Sequence, residues 1–241
     1  MNPLTAIERT PSVQKLDWAR IEQDLNSKGF ALTGPLLSTR ECAALIAEYD
    51  NLDIYRSRVV MARHNFGRGE YQYYDYPLPG LIANLRVSLY SKLVPLATRW
   101  AKTMKQERPF PDTLKAYTEV CHEAGQTRPT PLILKYVAGD YNCLHQDLYG
   151  EHVFPLQVAI LLNEPGEDFE GGEFVITEQR PRMQSRPHVV APKQGEGVIF
   201  GVNERPVQGV RGTYRTKLRH GVSEVLSGKR HTLGIIFHDA S

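Results

Sequence analysis

A histidine and an aspartate stand one residue apart in the stretch YNCLHQDLYG, residues 141–150. In an extended strand, residues i and i+2 point to the same face, so His145 and Asp147 would present an imidazole and a carboxylate side by side. His220, which is followed by a glycine and a β-rich segment, is the candidate third ligand. Two histidines and a carboxylate form the facial triad that holds non-haem Fe(II). The alternative is a strand-end histidine that is hydrogen-bonded to the neighbouring aspartate.

Four motifs occur in order around these residues. They are YVAGDYNCLHQD at 136–147, AILLNEPGEDFEGGEFVI at 159–176, PKQGEGVIF at 192–200, and a basic residue, Arg230, ten positions after His220. In type, spacing and order they resemble the Fe(II)- and 2-oxoglutarate-dependent oxygenases, particularly their prolyl-hydroxylase-like branch. The resemblance covers roughly residues 131–239.

The resemblance implies that His145, Asp147 and His220 bind Fe(II), with 2-oxoglutarate and O2 as cosubstrates. Decarboxylation of 2-oxoglutarate to succinate would be coupled to hydroxylation of a substrate C–H bond, or to demethylation where the hydroxylated carbon is attached to nitrogen. The far carboxylate of the cosubstrate would be costly to bury without a partner. Arg230 can meet it with a two-pronged, charge-assisted pair.

Two further cosubstrate contacts are expected by the same resemblance. Tyr136 offers a hydroxyl to the cosubstrate. Thr232 is a further candidate, because it lies two residues beyond Arg230 on the same strand face. Prolyl hydroxylases often carry a second tyrosine two residues before the position of Asn163, and this chain has Leu161 there. That contact is absent or replaced, and Gln157 is the candidate replacement.

The longer pattern that begins HQDLYGEHVFPLQV also resembles a bacterial family of predicted nucleic-acid oxygenases, proposed to demethylate damaged DNA oxidatively. Between residues 171 and 220, nine basic residues face four acidic ones. Two segments expected at the barrel mouth carry arginines suited to phosphates, namely Arg180, Arg182, Arg186, Arg211 and Arg215. A solvated face with scattered arginines is the alternative.

The segment RHNFGRGEYQYYDYPLPG, residues 63–80, mixes basic and aromatic residues. Arg68 and Tyr73 are candidate substrate contacts, because aromatic rings stack on bases beside a positively charged groove. Packing of the tyrosines against the barrel is the alternative. Tyr149, just beyond the ligand pair, is expected to point toward the substrate.

Other substrates and function classes stay open. The best-known alkylated-base demethylases carry a second arginine six residues after the cosubstrate arginine, and Ile236 occupies that position here. A prolyl residue in a protein or peptide is the alternative substrate, followed by a free amino acid or small metabolite. A non-catalytic jelly-roll binding module and zinc hydrolysis are the other classes, although the triad with Arg230 fits iron better.

The first half of the chain has helical patterns. Residues 39–49 follow a capping box from Ser38 to Glu41, and residues 80–104 continue the helical spacing around Pro95. Residues 112–125 predict a third helix with Asp112 as its N-cap and a glycine at its end.

From residue 131 onward, short β-rich segments recur between glycines, prolines and acidic turns. We therefore expect a mainly β protein with supporting α-helices (α+β), whose core is a double-stranded β-helix of the jelly-roll, cupin-like type. The core is assigned to residues 129–241 and a helical support region to residues 1–128, packed together as one integrated domain.

The composition is that of a globular protein, with 241 residues, 41% of them hydrophobic and 23% charged. The sequence has no apolar run near the ~18 residues that span a bilayer and no signal-peptide pattern at its start. Cys42, Cys121 and Cys143 are widely spaced, so neither a disulfide framework nor a cysteine zinc site is expected. We expect a cytoplasmic protein without membrane contact. Cys143 is expected to be buried as a small apolar residue, and the alternative is that it lines the site on the strand face of His145 and Asp147.

Overall fold

The three helices that the sequence predicts are present, and a fourth α-helix, which was not predicted, precedes them. The computed structural model describes residues 12–106, 110–210 and 212–241. The helices in this part of the chain are α1 (Trp18–Lys28), α2 (Thr39–Ala47), α3 (Gly80–Thr103) and α4 (Leu114–Glu123). The predicted capping box is complete, since the Ser38 hydroxyl accepts from the Glu41 amide and the Glu41 carboxylate accepts from the Ser38 amide.

The start of α4 differs from the prediction. Thr113 is the N-cap rather than Asp112, and its hydroxyl accepts a hydrogen bond from the Ala116 amide at 3.3 Å. Aspartate and threonine both cap helices well, so residue type alone does not distinguish Asp112 from Thr113. Gly125 lies directly after the C-cap and adopts a left-handed conformation, as expected for a helix end.

The strands of the described residues pair antiparallel in two sheets. In chain order they are β1 (Phe30–Pro35), β2 (Tyr55–Val60), β3 (Gly67–Arg68), β4 (Glu70–Tyr74), β5 (Leu132–Val137), β6 (Tyr141–His145), β7 (Leu156–Leu161), β8 (Phe169–Gly171), β9 (Phe174–Gln179), β10 (Arg186–Val190), β11 (Glu196–Gly201), β12 (Glu204–Gly209), β13 (Gly212–Val222) and β14 (Val225–Ile235). The major sheet has the order β1-β11-β7-β14-β5-β4-β2, with β8 on β14. The minor sheet has the order β10-β9-β13-β6-β3, with β12 on β13.

Three apolar clusters hold these layers together. The largest joins the helices to one face of the major sheet, with Leu85 and Tyr90 of α3 against Ile160 and Leu233. Two smaller clusters lie between the sheets, one around Tyr136 and the other composed of Phe174, Phe200 and their neighbours. The helices therefore support one sheet from outside, while the space between the sheets is left for a site.

The mainly β jelly-roll fold is confirmed. Strands β1 to β4 of the N-terminal part extend both sheets, since β1 pairs with β11, β4 with β5, and β3 with β6. Residues before 129 therefore supply sheet as well as helix, and the boundary at 128/129 stays a prediction. Within the described ranges, no helix is long and apolar enough to cross a membrane.

Candidate metal centre

The three predicted ligands meet between the two sheets. Strand β6 ends at His145, and its antiparallel pairing with β13 places His220 directly opposite. Asp147 lies two residues beyond the end of β6, in the segment that follows the strand. Its carboxylate and the His145 imidazole lie side by side, as the spacing predicts.

The donor atoms of this triad lie within 4.8 Å of one another. The Asp147 carboxylate bridges the histidines, with Oδ1 at 3.5 Å from Nε2 of His145 and Oδ2 at 3.4 Å from Nε2 of His220. The two imidazole rings are 4.2 Å apart between centroids. Two imidazole nitrogens and a carboxylate oxygen thus converge on one point.

Burial and charge set the protonation of the triad. Burial alone would raise the pKa of Asp147, but hydrogen bonds and charge from the two histidines hold that pKa well below its ordinary value. Burial and the nearby His145 lower the pKa of His220. For His145, hydrogen bonding and charge from Asp147 outweigh burial and raise the pKa. An ionised carboxylate beside a buried, readily neutral imidazole suits a divalent cation.

Neighbouring groups fix the orientation of two ligands. The Tyr149 hydroxyl donates to Oδ1 of Asp147 at 2.8 Å, and the Gln157 amide donates to Oδ2 at 2.7 Å. Nδ1 of His145 donates to the Cys143 carbonyl at 2.8 Å, which leaves Nε2 for a metal. Tyr149 and Gln157 therefore contact the ligand carboxylate, which the sequence did not reveal for either residue.

Arg230 is a buried cation on β14, with 2% of its surface exposed. Its Nη1 donates a hydrogen bond to the Thr232 hydroxyl at 2.6 Å, and Nε is buried without a hydrogen-bond partner. No carboxylate of the described residues forms an ion pair with it within 4.0 Å. Burial lowers the pKa of Arg230 to about 10, against the opposing charge of the more distant Glu173, so the guanidinium is charged at neutral pH. A buried, unpaired guanidinium is suited to an anionic ligand.

Tyr136 and Gly172 lie beside the Arg230 side chain. Tyr136 is fully buried, with the guanidinium carbon 5.7 Å from its ring centroid, and its hydroxyl accepts a hydrogen bond from Asn142 at 3.4 Å. Gly172 has a left-handed φ of 62°, and a Cβ there would lie 2.9 Å from Cδ of Arg230. A glycine is therefore required beside the arginine.

One cavity of about 370 Å³ connects the triad with Arg230. Tyr136, Gln157 and Thr232 also line it, so the predicted cosubstrate residues are brought together. Ile236 lines it as well, at the position where the alkylated-base demethylases carry their second arginine. The volume lies at the low end of the range for small-molecule sites.

The other substrate candidates lie at varied places. Arg215 donates to the Met104 carbonyl at 2.6 Å and pairs with Glu204 at 3.2 Å. Arg182 is exposed with a left-handed φ of 63° in the turn between β9 and β10. Neither lines the cavity, and Arg211 of the same predicted group lies outside the described residues.

The aromatic segment divides into packed and exposed residues. Tyr73 is 8% exposed, and the Arg56 guanidinium lies 4.3 Å from the centroid of its ring. This ring therefore packs within the protein, as the alternative interpretation predicts, and does not present a face to a ligand. Arg68 is exposed on β3, beside the strand that ends at His145. Cys143 is exposed and lines the cavity, so the prediction of its burial is wrong.

The residues present fit both groups that the sequence predicts. Imidazole nitrogens and a carboxylate suit Fe(II), and the second ring nitrogen of His145 and both oxygens of Asp147 are hydrogen-bonded, whereas Nδ1 of His220 is buried without a partner. The unpaired charge of Arg230 fits the far carboxylate of a dicarboxylic cosubstrate.

The sequence profile of one protein family matches residues 69–240. That family is described as oxygenases catalysing oxidative methylation of damaged DNA. The chain belongs to this family of oxygenases. A related uncharacterized protein of Mycobacterium tuberculosis is 50% identical over 165 residues, which cover 68% of this chain and 71% of that protein.

Solved structures show the same fold at low sequence identity. A prolyl hydroxylase of Trichoplax adhaerens, in complex with a hypoxia inducible factor oxygen degradation domain peptide fragment, has a TM-score of 0.55 at 16% identity over 97% of this chain and 94% of that chain. A 2OG-Fe(II) oxygenase family oxidoreductase from Burkholderia pseudomallei has a TM-score of 0.52 at 16% identity over 93% and 92%. The protein is thus an oxygenase with the fold of the Fe(II)/2-oxoglutarate enzymes and a histidine–aspartate–histidine site.

Proposed function

We propose that this oxygenase uses Fe(II), 2-oxoglutarate and O2 to oxidise a methylated base of damaged nucleic acid. The observation that carries the proposal is that the triad and the unpaired Arg230 line a single cavity. When bound, the iron and its cosubstrate supply oxygen activation, with 2-oxoglutarate converted to succinate and CO2 while one oxygen atom enters a substrate C–H bond.

One group of cavity side chains binds the metal, and another group binds the cosubstrate. His145, Asp147 and His220 hold the metal, and hydrogen bonds from Tyr149 and Gln157 to the carboxylate fix its orientation. These two donors keep both carboxylate oxygens occupied, so that the ligand geometry is set before the substrate arrives.

The opposite end of the cavity holds the cosubstrate. The Thr232 hydroxyl accepts a hydrogen bond from the Arg230 guanidinium at 2.6 Å, Nε has no hydrogen-bond partner, and no carboxylate of the described residues pairs with the guanidinium within 4.0 Å. The far carboxylate of 2-oxoglutarate pairs with this guanidinium, and the Tyr136 hydroxyl lies on the same cavity wall. Loss of the arginine charge therefore removes the cosubstrate without removing the metal ligands.

The family description supports nucleic acid as the substrate. Oxygen insertion converts an N-methyl group into an N-hydroxymethyl group, which leaves as formaldehyde and returns its proton to the base nitrogen. The balanced outcome is demethylation, with one molecule each of O2 and 2-oxoglutarate consumed and one each of succinate, CO2 and formaldehyde formed. The net excess of basic residues over 171–220 supports an anionic polymer as the substrate.

The test supplies purified protein with Fe(II) and 2-oxoglutarate and measures succinate and formaldehyde together. We expect both products with oligonucleotides carrying N-methylated bases and little formaldehyde with the same unmethylated oligonucleotides. The Arg230→Ala variant should lose 2-oxoglutarate binding, which a calorimetric titration measures directly. Absence of that binding in the wild-type protein would contradict the reaction class.

Proline-containing peptides and free amino acids form the comparison arms of the same assay. Succinate formation that rises with a peptide and not with any methylated oligonucleotide would replace the nucleic-acid substrate with a prolyl substrate. Metal analysis after loading with iron distinguishes both results from a non-catalytic binding module, which would bind neither iron nor 2-oxoglutarate.

A further inference from the structure

One aromatic ring of the basic and aromatic segment faces outward beside the metal cavity. Phe66 is 48% exposed and lines the cavity, whereas Tyr73 and Tyr74 of the same segment are buried. Its ring stacks on the imidazole of His64, with the centroids 5.4 Å apart and the planes at 24°. An exposed ring of this size at a cavity mouth has one flat face available to a ligand.

The backbone holds this ring in a fixed position. The Phe66 amide donates to the Met61 carbonyl at 3.2 Å, and its carbonyl accepts from the Cys143 amide at 2.9 Å. Gly67 has a φ of 128°, and a Cβ there would collide with the Tyr141 carbonyl oxygen. The loop is therefore bonded on both sides, and its second anchor is the strand that ends at the metal ligand His145. A preformed platform costs less ordering free energy on binding than a mobile one.

Two cations flank the ring in the sequence. Arg63 and Arg68 lie three residues before and two residues after Phe66, both are exposed, and no ion pair to either is found in the described part of the chain. The nearest acidic residue in sequence, Glu70, is already paired with Arg58 and Lys135. An exposed ring with an exposed arginine on each side along the chain matches the base and the flanking phosphates of a polynucleotide. An uncharged proline-rich peptide would use the ring but not the arginines.

We propose that the Phe66 ring is a stacking platform for an unpaired nucleobase at the entrance of the metal cavity, with Arg63 and Arg68 contacting the adjacent phosphates. This inference rests on the proposed function and names the residues that contact the nucleic acid. A cavity of about 370 Å³ does not admit a duplex. The base that reaches the metal is therefore single-stranded or flipped out, and the platform stacks on it or on its neighbour.

The test measures binding of a labelled single-stranded oligonucleotide of about 10 nucleotides, a length that suits one such groove. Fluorescence anisotropy is followed with Fe(II) and 2-oxoglutarate bound under anaerobic conditions, so that no turnover occurs. We expect Phe66→Ala to weaken the affinity roughly 5-fold to 100-fold, the range for loss of one base–aromatic stack. Phe66→Trp should retain the affinity, and the fluorescence of the new indole should be quenched by the oligonucleotide.

A matched pair of variants separates stacking from apolar contact and from folding. Phe66→Leu keeps an apolar side chain without a π-face and should weaken binding as Phe66→Ala does. Leu52→Ala changes another exposed apolar residue, 64% exposed and away from the cavity lining, and should bind as the wild type does. Thermal unfolding of each variant verifies that the fold is intact.

The outcomes distinguish the platform from the proposed function. If the wild-type protein binds the oligonucleotide and Phe66→Ala or Phe66→Leu binds it equally well, the stacking platform is refuted. The proposal that nucleic acid is the substrate is then unaffected. No oligonucleotide binding by the wild-type protein overturns both. Binding of a proline-containing peptide that requires Phe66, without oligonucleotide binding, assigns the ring to a peptide and overturns the proposal.

Discussion

Replacing Arg230 with methionine should stabilise the ligand-free protein and abolish its response to 2-oxoglutarate. Methionine has a similar length and no charge, so it fills the same space beside Tyr136 without a desolvation cost. Most substitutions of buried residues destabilise a protein, and the opposite sign is expected here because the guanidinium is buried without an ion pair to any carboxylate of the described residues.

The structure sets the size of the effect. Burial lowers the pKa of Arg230 to about 10, a depression that corresponds to about 3 kcal/mol of free energy against the charged form. Replacing buried charges by apolar residues commonly gains about 1–4 kcal/mol, part of which the lost bond to Thr232 offsets. For a chain of this length, that gain raises the unfolding midpoint by about 2–10 °C. Saturating 2-oxoglutarate, at about 100 times its dissociation constant, should stabilise the wild type by about 3 kcal/mol.

The assay is thermal unfolding by circular dichroism, with and without 2-oxoglutarate, in the presence of Fe(II) under anaerobic conditions. Arg86→Met is the matched control, since Arg86 is equally buried but pairs with Asp239 at 2.7 Å. Breaking that pair should cost about 3–5 kcal/mol and lower the midpoint. A ligand-free Arg230→Met protein that unfolds as early as Arg86→Met would refute the reasoning, and so would a midpoint that still rises with 2-oxoglutarate.

Three further changes test the site and the fold. Tyr149→Phe removes the hydroxyl that donates to Asp147, so metal affinity should fall about 10-fold to 100-fold in a calorimetric titration, and an unchanged affinity would count against that role. Gly172→Ala places a Cβ against Arg230 and should weaken 2-oxoglutarate binding while metal binding is kept; equal loss of both would point to misfolding. Burial lowers the pKa of His231 to about 4, below its unfolded value near 6.5. The unfolded state therefore takes up the proton first, so stability is full above pH 6.5 and should fall by about 3 kcal/mol toward pH 4. In urea titrations His231→Gln should lose less over that range, and an equal loss would contradict this assignment.

The metal site could be predicted largely from the sequence. His145 and His220 face each other because β6 and β13 pair with these residues opposite. Arg230 follows His220 by ten residues, across the connection from β13 of the minor sheet to β14 of the major sheet. These three residues are predicted from the order and spacing of motifs that resemble a known family, whereas short-range backbone geometry is sufficient for the capping box of α2.

The surroundings of the site could not be predicted in the same way. The bond from Tyr149 to Asp147 depends on the irregular segment after β6, and the burial of Tyr73 depends on packing against Arg56. Arg215 looks free in the sequence, but it pairs with Glu204 and donates to the carbonyl at the end of α3. The first contact lies in a segment without periodic structure and the others join different parts of the chain, so helix and strand patterns do not encode them.

The sequence by itself determined the class of reaction, because the candidate metal ligands and the candidate cosubstrate arginine require particular residue types at particular spacings. Only the tertiary structure decided which side chains are exposed and which are buried. It buried Tyr73, exposed Cys143 and turned the Phe66 ring toward the cavity mouth. The physical reason is that exposure depends on what packs against a residue from elsewhere in the chain, whereas ligand identity depends on the side chain itself.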